Sequence, residues 1–153
     1  MATGTMTVYS NAMLNIASAK INLAGDSFQM CLLTASYVPT PDVHATWANV
    51  STQELATGAG YTAGGAPLSA PACTLTGSQV SWTTSSATWA AASMTAKFAV
   101  IVKRAGASVA STDYLVGFVD LNTASGSSTI TGQGGNLTIS PQASGWLTLT
   151  HSP

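Results

Sequence analysis

Short apolar runs separated by turn-forming residues dominate this sequence and constrain its fold more than any other feature. The strongest run is Ser93–Gly106, which contains FAVIV and ends in a glycine-containing turn. Asp113–Leu121 follows it, and the two runs are expected to form an antiparallel pair. Shorter runs occur at ACTLT, QVSWTT, SATWAA, STITG, NLTIS and GWLTLT. Many short strands with polar turns predict a mainly β fold, an antiparallel sandwich or jelly-roll-like domain.

One helix is expected, close to the start of the chain. Residues 1–8 are small and polar and are predicted to form a flexible arm in front of a single domain over residues 9–153. Ser10 is a candidate N-cap of a short helix that extends to about Lys20. Its apolar residues recur on one side at helical spacing, and they are Met13, Leu14, Ile16 and Ala17.

A strand and a long loop are expected next. The run Ser27–Val38 is typical of a mostly buried strand, which Pro39 and Pro41 stop. Residues 42–58 are predicted to form a long loop, with a short helical turn around Ala48–Leu55.

The glycine-rich stretch Gly60–Leu68 has two interpretations, a ligand cradle or a bend between strands. It lacks the spacing of a dinucleotide-binding loop, and it has no Lys followed by Ser or Thr. Gly64 and Gly65 are suited to positive φ or to a bulge. A bent or bulged strand is therefore the favoured interpretation.

Charge is scarce throughout the chain. Charged residues make up 6% of the sequence, against about 25% in an average domain, and the formal net charge is −1. The four cations cannot neutralise many phosphates, so nucleic acid is not expected as a partner. Few charges also remove repulsion between copies. Two interpretations stay open: a monomer coated with Ser and Thr, or a chain that packs against other subunits.

Membrane insertion and export are not expected either. No run approaches the ~18 consecutive apolar residues of a membrane span. The first twenty residues lack the charged segment and the long apolar core of a signal peptide.

The residues able to carry catalysis are few and scattered. Asp42 and His44 form a D-x-H pair, but a metal site needs three or four ligands, so no metal is expected. Asp113 and Asp120 are separated by an odd number of positions along one strand, which places them on opposite faces. They are therefore expected to be solvated strand ends and not a paired acid and base. The sequence predicts neither an enzyme nor a bound cofactor.

The cysteines and tryptophans allow more than one interpretation. Cys31 and Cys73 lie in apolar runs and are expected to be small buried side chains, and a disulfide between them stays open. The tryptophans are able to stack sugars, as in lectins, but are more typical of core and interface anchors. They are Trp47, Trp82, Trp89 and Trp146.

Five features occur in a fixed order over residues 9–121. They are a short helix, a strand ending in L-x-x-x-S-Y-x-P, a D-x-H loop, a G-Y-T-A-G-G turn and a T-W-x-x-x-S-x-T-A strand that enters A-V-I. Together they resemble a widespread group of small structural proteins of tailed bacteriophages. The G-Y-T-A-G-G turn with the downstream tryptophan strand is moderately specific, and the resemblance depends on the pieces taken together.

The resemblance implies a virion component without enzymatic activity, made in the cytoplasm of a bacterial host and assembled onto the particle. The favoured role is that of a capsid decoration protein. Such a protein binds the major capsid protein on the outer shell, here as a homotrimer. Two alternatives are a tail or head–tail connector component and a module that binds a host glycan.

Two segments are expected to make the contacts in such an assembly. The first is the N-terminal arm, with Thr3, Thr5, Thr7 and Tyr9 as candidate residues that reach a neighbouring subunit. The second is the loop Asp42–Trp47, with Asp42, His44 and Trp47 as candidate contacts, because a long loop carrying an aromatic is a common recognition element.

Overall fold

A computed structural model describes residues 5–121, 130–131 and 134–151. The strands are β1 (Met6–Val8), β2 (Ser27–Leu33), β3 (Ala66–Leu68), β4 (Ala72–Thr76), β5 (Gln79–Thr83), β6 (Ala87–Ala92), β7 (Thr95–Ala96), β8 (Phe98–Arg104), β9 (Tyr114–Asp120), β10 (Ile130–Thr131), β11 (Gly135–Ile139) and β12 (Leu147–Thr150). Helix α1 spans Ser10–Ala17, and two 3₁₀ turns lie at Trp47–Asn49 and Ser51–Gln53. These elements confirm the predicted class, mainly β with antiparallel sheets and one N-terminal helix.

The first layer is a five-stranded antiparallel sheet with the order β1-β9-β8-β2-β3. The predicted pair β8–β9 is confirmed, with Phe98 opposite Asp120 at one end and Lys103 opposite Tyr114 at the other. The apolar runs of β2, β8 and β9 are buried along almost their whole length, as expected for strands covered on both faces.

The second layer is built around an interrupted two-stranded ribbon. Strand β5 pairs with β12, β6 with β11, and β7 with β10. The pairs follow one another along the chain, from Gln79 opposite Thr150 to Ala96 opposite Ile130, with a register shift between Gly135 and Leu137. Strand β4 adds to the free side of β5, so the end of the ribbon becomes the three-stranded sheet β12-β5-β4.

The two layers meet at aromatic contacts. The rings of Phe28 on β2 and Trp82 on β5 lie edge to face, with centroids 4.9 Å apart. The indole Nε1 of Trp82 donates a 2.7 Å hydrogen bond to the carbonyl of Leu23, in the connection between α1 and β2. Tyr61 and Trp89 form a second contact, with centroids 6.1 Å apart. The arrangement is sandwich-like, with its core between β2 and β5.

The helix is shorter than predicted, and part of its apolar side faces solvent. It ends at Ala17, and Ala19 adopts a left-handed φ of 59° that stops propagation. Ser10 lies inside the helix and is not its N-cap. Of the apolar residues that recur at helical spacing, Met13 and Leu14 are exposed, whereas Ala12 and Asn15 on another side of the helix are buried.

The prediction of a flexible arm over residues 1–8 is wrong for Met6–Val8. These residues form the edge strand β1, which pairs with β9 at Val119, Phe118 and Gly117. The apolar residues Met6 and Val8 pack on the core, which explains why the segment joins the sheet.

Two predicted strands are longer than the observed ones. The run Ser93–Gly106 divides at Lys97, because Thr95–Ala96 belongs to the ribbon and Phe98–Arg104 to the five-stranded sheet. The run Ser27–Val38 ends as a strand at Leu33, where a turn closed by the hydrogen bond from Tyr37 N to Thr34 O begins.

Trp82 provides a direct test of how the layers are held together. Trp82→Ala is expected to lower the free energy of unfolding by about 3–5 kcal/mol, because it empties the space beside Phe28. Trp82→Phe keeps a ring but removes the donor to Leu23, with an expected loss of about 1–3 kcal/mol. Urea unfolding followed by circular dichroism measures both. A smaller loss for Trp82→Ala than for Trp82→Phe would contradict this account.

Candidate functional site

The loop Asp42–Trp47 is fixed to the end of the five-stranded sheet. Trp47 N donates to Asp113 O at 2.8 Å, and Leu115 N donates to Ala45 O at 3.0 Å. Trp47 is only 6% exposed, so its indole packs in the core, and the prediction that it is a surface contact is wrong. Asp42 is exposed and accepts a hydrogen bond from the Ser10 hydroxyl, which ties the loop to the start of α1.

His44 ends a chain of three side chains. Its Nδ1 lies 3.1 Å from the hydroxyl of Tyr37, which lies 2.7 Å from the hydroxyl of Tyr9. Both tyrosines are buried, and His44 is half-buried. Tyr9 therefore packs inside its own chain, and the prediction that it contacts a neighbouring subunit is wrong.

Burial sets the protonation states of these three side chains. Desolvation raises the pKa of Tyr9, and its hydrogen bond with Tyr37 raises this pKa further. Desolvation also raises the pKa of Tyr37, although its hydrogen bond with Tyr9 acts in the opposite direction. Burial lowers the pKa of His44, which favours the neutral imidazole. The three groups are therefore neutral at neutral pH and join the helix start to two loops.

The remaining candidates from the N-terminal segment have mixed positions. Thr3 lies outside the described residues. Thr5 is exposed, and its hydroxyl accepts a 3.1 Å hydrogen bond from Gln142 Nε2. Thr7 is exposed on the edge strand β1. Thr5 and Thr7 are thus placed where another subunit is able to contact them.

The glycine-rich stretch is held by one carboxylate. Oε1 of Glu54 accepts the hydroxyl of Tyr61 at 2.7 Å and the backbone N–H of Gly64 at 2.6 Å. Two segments of this region pair with the same edge of β2. Leu55 N, before the stretch, donates to Leu32 O, and β3, at the end of the stretch, pairs with β2 from Phe28 to Met30.

The expectation of positive φ at the two glycines is confirmed. Gly64 has a φ of 96° and Gly65 a φ of 76°. A Cβ on Gly65 would lie 2.0 Å from the carbonyl oxygen of Met30, so only glycine allows the chain to approach β2 this closely. The stretch is a turn that leads into β3, and its geometry is explained by packing on β2.

The two aspartates around β9 are not solvated strand ends. Asp113 is buried and accepts backbone N–H groups from Ala105 at 3.1 Å and Ala110 at 2.8 Å, which shapes the turn between β8 and β9. Asp120 forms a 2.9 Å ion pair with Lys97, whose side chain is almost completely buried. Both carboxylates are thus bound by groups of the same chain, which the alternation of residues along the strand did not predict.

The cysteines differ from one another. Cys31 is buried, as expected, and burial raises the pKa of its thiol, with the nearby Glu54 carboxylate raising it further. A protonated, enclosed thiol is a poor nucleophile. Cys73 is exposed on β4, so the prediction that it is buried is wrong. The two thiols are free and do not form a disulfide.

All four tryptophans are buried, which confirms the interpretation as core anchors. An exposed ring face is required to stack a sugar. The idea of a glycan platform built from tryptophan therefore has no structural basis in this chain.

An exposed apolar surface, which the sequence did not predict, lies on the three-stranded sheet. Leu75 and Leu149 flank Val80 in one cross-strand row, so their side chains share a face. Leu75 is 69% exposed and Leu149 is 56% exposed. The next row toward the core contains Trp82, which is buried. The same sheet face thus covers the core at one end and is open at the other.

A groove borders this row on the β12 side. It has a volume of about 310 Å³ and lies between helix α1 and β12. The residues that line it all have apolar side chains, and they are Met13, Ile16, Ala17, Leu147 and Leu149. We call the row and the groove together the apolar face.

The apolar face is built from parts of the chain without charge. None of the nine Asp, Glu, Lys and Arg residues falls within residues 1–19, 55–96 or 121–153. The charged residues instead cluster around the five-stranded sheet and the loops at its ends. This spacing of charges was available in the sequence, and it is the signal that points to the apolar face.

Within the described residues, no three or more His, Cys, Asp and Glu side chains are grouped so as to hold a metal ion. Among the same residues, no helix has the length and apolar character needed to cross a bilayer. Comparison with protein-family models, curated proteins and solved structures finds no match to this chain.

Gly65 tests the explanation of the glycine-rich stretch. Gly65→Ala is expected to lower the free energy of unfolding by about 2 kcal/mol or more, because it adds a steric overlap with Met30 to the cost of a left-handed alanine. Gly77→Ala is the control, since Gly77 has a φ of 60° with no atom within 4 Å of the new Cβ. Its expected cost is about 1 kcal/mol. Equal losses in urea unfolding would show that the contact with β2 is unimportant.

His44 predicts a pH dependence of stability. An unfolded histidine has a pKa of about 6.5, and burial lowers the pKa of His44 in the folded chain. The unfolded state therefore binds the proton first, so the stability from neutral His44 is present above about pH 6.5 and is lost as the pH falls through the lower folded pKa. Urea unfolding between about pH 5 and 8 should show this decrease in the native chain and a weaker one in His44→Gln. Identical pH profiles would refute the role of His44.

Proposed function

We propose that this chain is a structural protein of a tailed-bacteriophage virion, and that it is a capsid decoration protein on the outer shell. In this role it binds the major capsid protein and other copies of itself, as a homotrimer in the favoured arrangement. It is made in the cytoplasm of the bacterial host and acts without catalysis.

The apolar face is the observation that carries this proposal. Single exposed leucines are common on protein surfaces, but a row of them beside an apolar groove in an uncharged region marks an interaction site. A chain with little charge also associates more readily than a highly charged one. These properties favour a protein that works packed against other subunits.

The motifs that resemble phage structural proteins support the same proposal. Tyr61, from the G-Y-T-A-G-G turn, packs against Trp89, from the T-W-x-x-x-S-x-T-A strand. These two motifs are therefore in contact in the folded chain, which gives a reason for them to occur together.

A decoration protein of this kind acts by mass action. It binds the expanded shell more tightly than the precursor, and it stabilises the mature form by the difference in binding free energy. Copies joined around a symmetry axis bind together, which strengthens attachment without requiring a strong individual contact.

The number of copies per particle tests this proposal. Quantitative mass spectrometry of purified virions should find this chain at a simple ratio to the major capsid protein, corresponding to hundreds of copies. Loss of the chain from particles whose shells are kept in the precursor form would support recognition of the mature lattice.

Other copy numbers would change the assignment. A handful of copies per particle would contradict decoration and place the chain in the tail or the head–tail connector. Absence of the chain from purified virions would refute a structural virion role altogether.

A further inference from the structure

We infer that the apolar face is the surface through which copies of this chain bind one another. The inference rests on the proposed function, which brings copies side by side on a particle, and it adds the surface that joins them. Three features of the described residues favour a second copy as the occupant.

The first feature is that one molecule carries both halves of a contact. Leu75 projects from β4 at one edge of the three-stranded sheet, with 69% of its surface exposed. The groove beside Leu149 and Met13 lies across the other edge strand, β12. A projecting leucine and an apolar groove on the same chain allow each copy to supply what the other accepts. Contact between copies would then cover both.

The second feature is charge. Strands β4, β5 and β12 contain no Asp, Glu, Lys or Arg. The face therefore offers no opposite charge to an acidic or basic partner or to an anionic lipid surface. A copy of the same uncharged face is electrostatically matched to it and suffers no repulsion.

The third feature is the edge strand β4. Among the described strands it pairs only with β5, and all five of its residues are exposed. It contains no charged residue and no proline, and its register with β5 is uninterrupted. The edges of the five-stranded sheet are better protected, since β1 and β3 have three residues each and β3 includes Pro67. An open edge beside exposed leucines is suited to contact with another chain.

The oligomeric state of the purified chain tests the inference. Sedimentation velocity across a concentration series should show a dimer or trimer for the native chain. Leu75→Lys and Leu149→Lys should each raise the dissociation constant at least about tenfold, because each places a charge in the contact. Thermal unfolding of each variant checks that these exposed substitutions leave the fold intact.

A matched control lies outside the apolar face. Val38 is 74% exposed, comparable to Leu75, but it lies in the connection that follows β2. Val38→Lys changes charge and hydrophobicity in the same way and should associate like the native chain. An equal effect of the control and test variants would overturn the inference, as would a native chain that stays monomeric at about 100 μM.

Particle binding separates this inference from the proposed function. If the native chain is monomeric while Leu75→Lys loses its place on virions, the face binds the capsid protein, and the self-association inference fails while the virion role stands. If the chain self-associates through the face but is absent from virions, the inference stands and the virion role fails.

Discussion

The packing of Trp82 against Phe28 is the contact on which the rest of the structure depends, because the two layers meet there. The indole N–H also holds Leu23, so the same side chain fixes the connection that leads from the helix into β2. Further along the ribbon, Tyr61 and Trp89 repeat this kind of contact and bring the glycine-rich turn to the edge of β2.

The position of Trp82 also explains why the apolar face is open. Trp82 covers the core from one row of the three-stranded sheet, and the adjacent row, Leu75, Val80 and Leu149, extends beyond it. The opposite face of these strands carries Thr, Ser and Gln side chains, so alternation places every large apolar residue on one side. A sheet that is apolar on one face but only half covered is suited to assembly, and this links the fold to the proposed role.

The sequence predicted features that depend on a local pattern of residues. Its predictions were wrong where the structure depends on packing between residues that are far apart in sequence. The continuous apolar runs of β8 and β9 identified two central strands, and glycine chemistry identified the turn before β3. Helical periodicity located α1, but it does not say which side meets the core, and Met13 faces outward. The Tyr9–Tyr37–His44 chain joins residues up to 35 positions apart, and no local pattern brings them together. The absence of charge over residues 55–96 was visible, but its meaning required the exposed leucines of the folded sheet.

The sequence separation of the ribbon pairs favours one order of folding. The paired residues Ala96 and Ile130, at one end of the ribbon, are the closest in sequence. At the other end, Gln79 and Thr150 are 71 positions apart. Loop-closure entropy favours pairing that begins at the short loop and proceeds outward, because each later pair then adds little to the cost. Strand β12 is synthesised long after β5, and it pairs last in this order. The groove is lined by Leu147 and Leu149 of β12 together with residues of α1. It therefore exists only once β12 is in place, and a chain whose β12 has not yet paired does not present it to other copies.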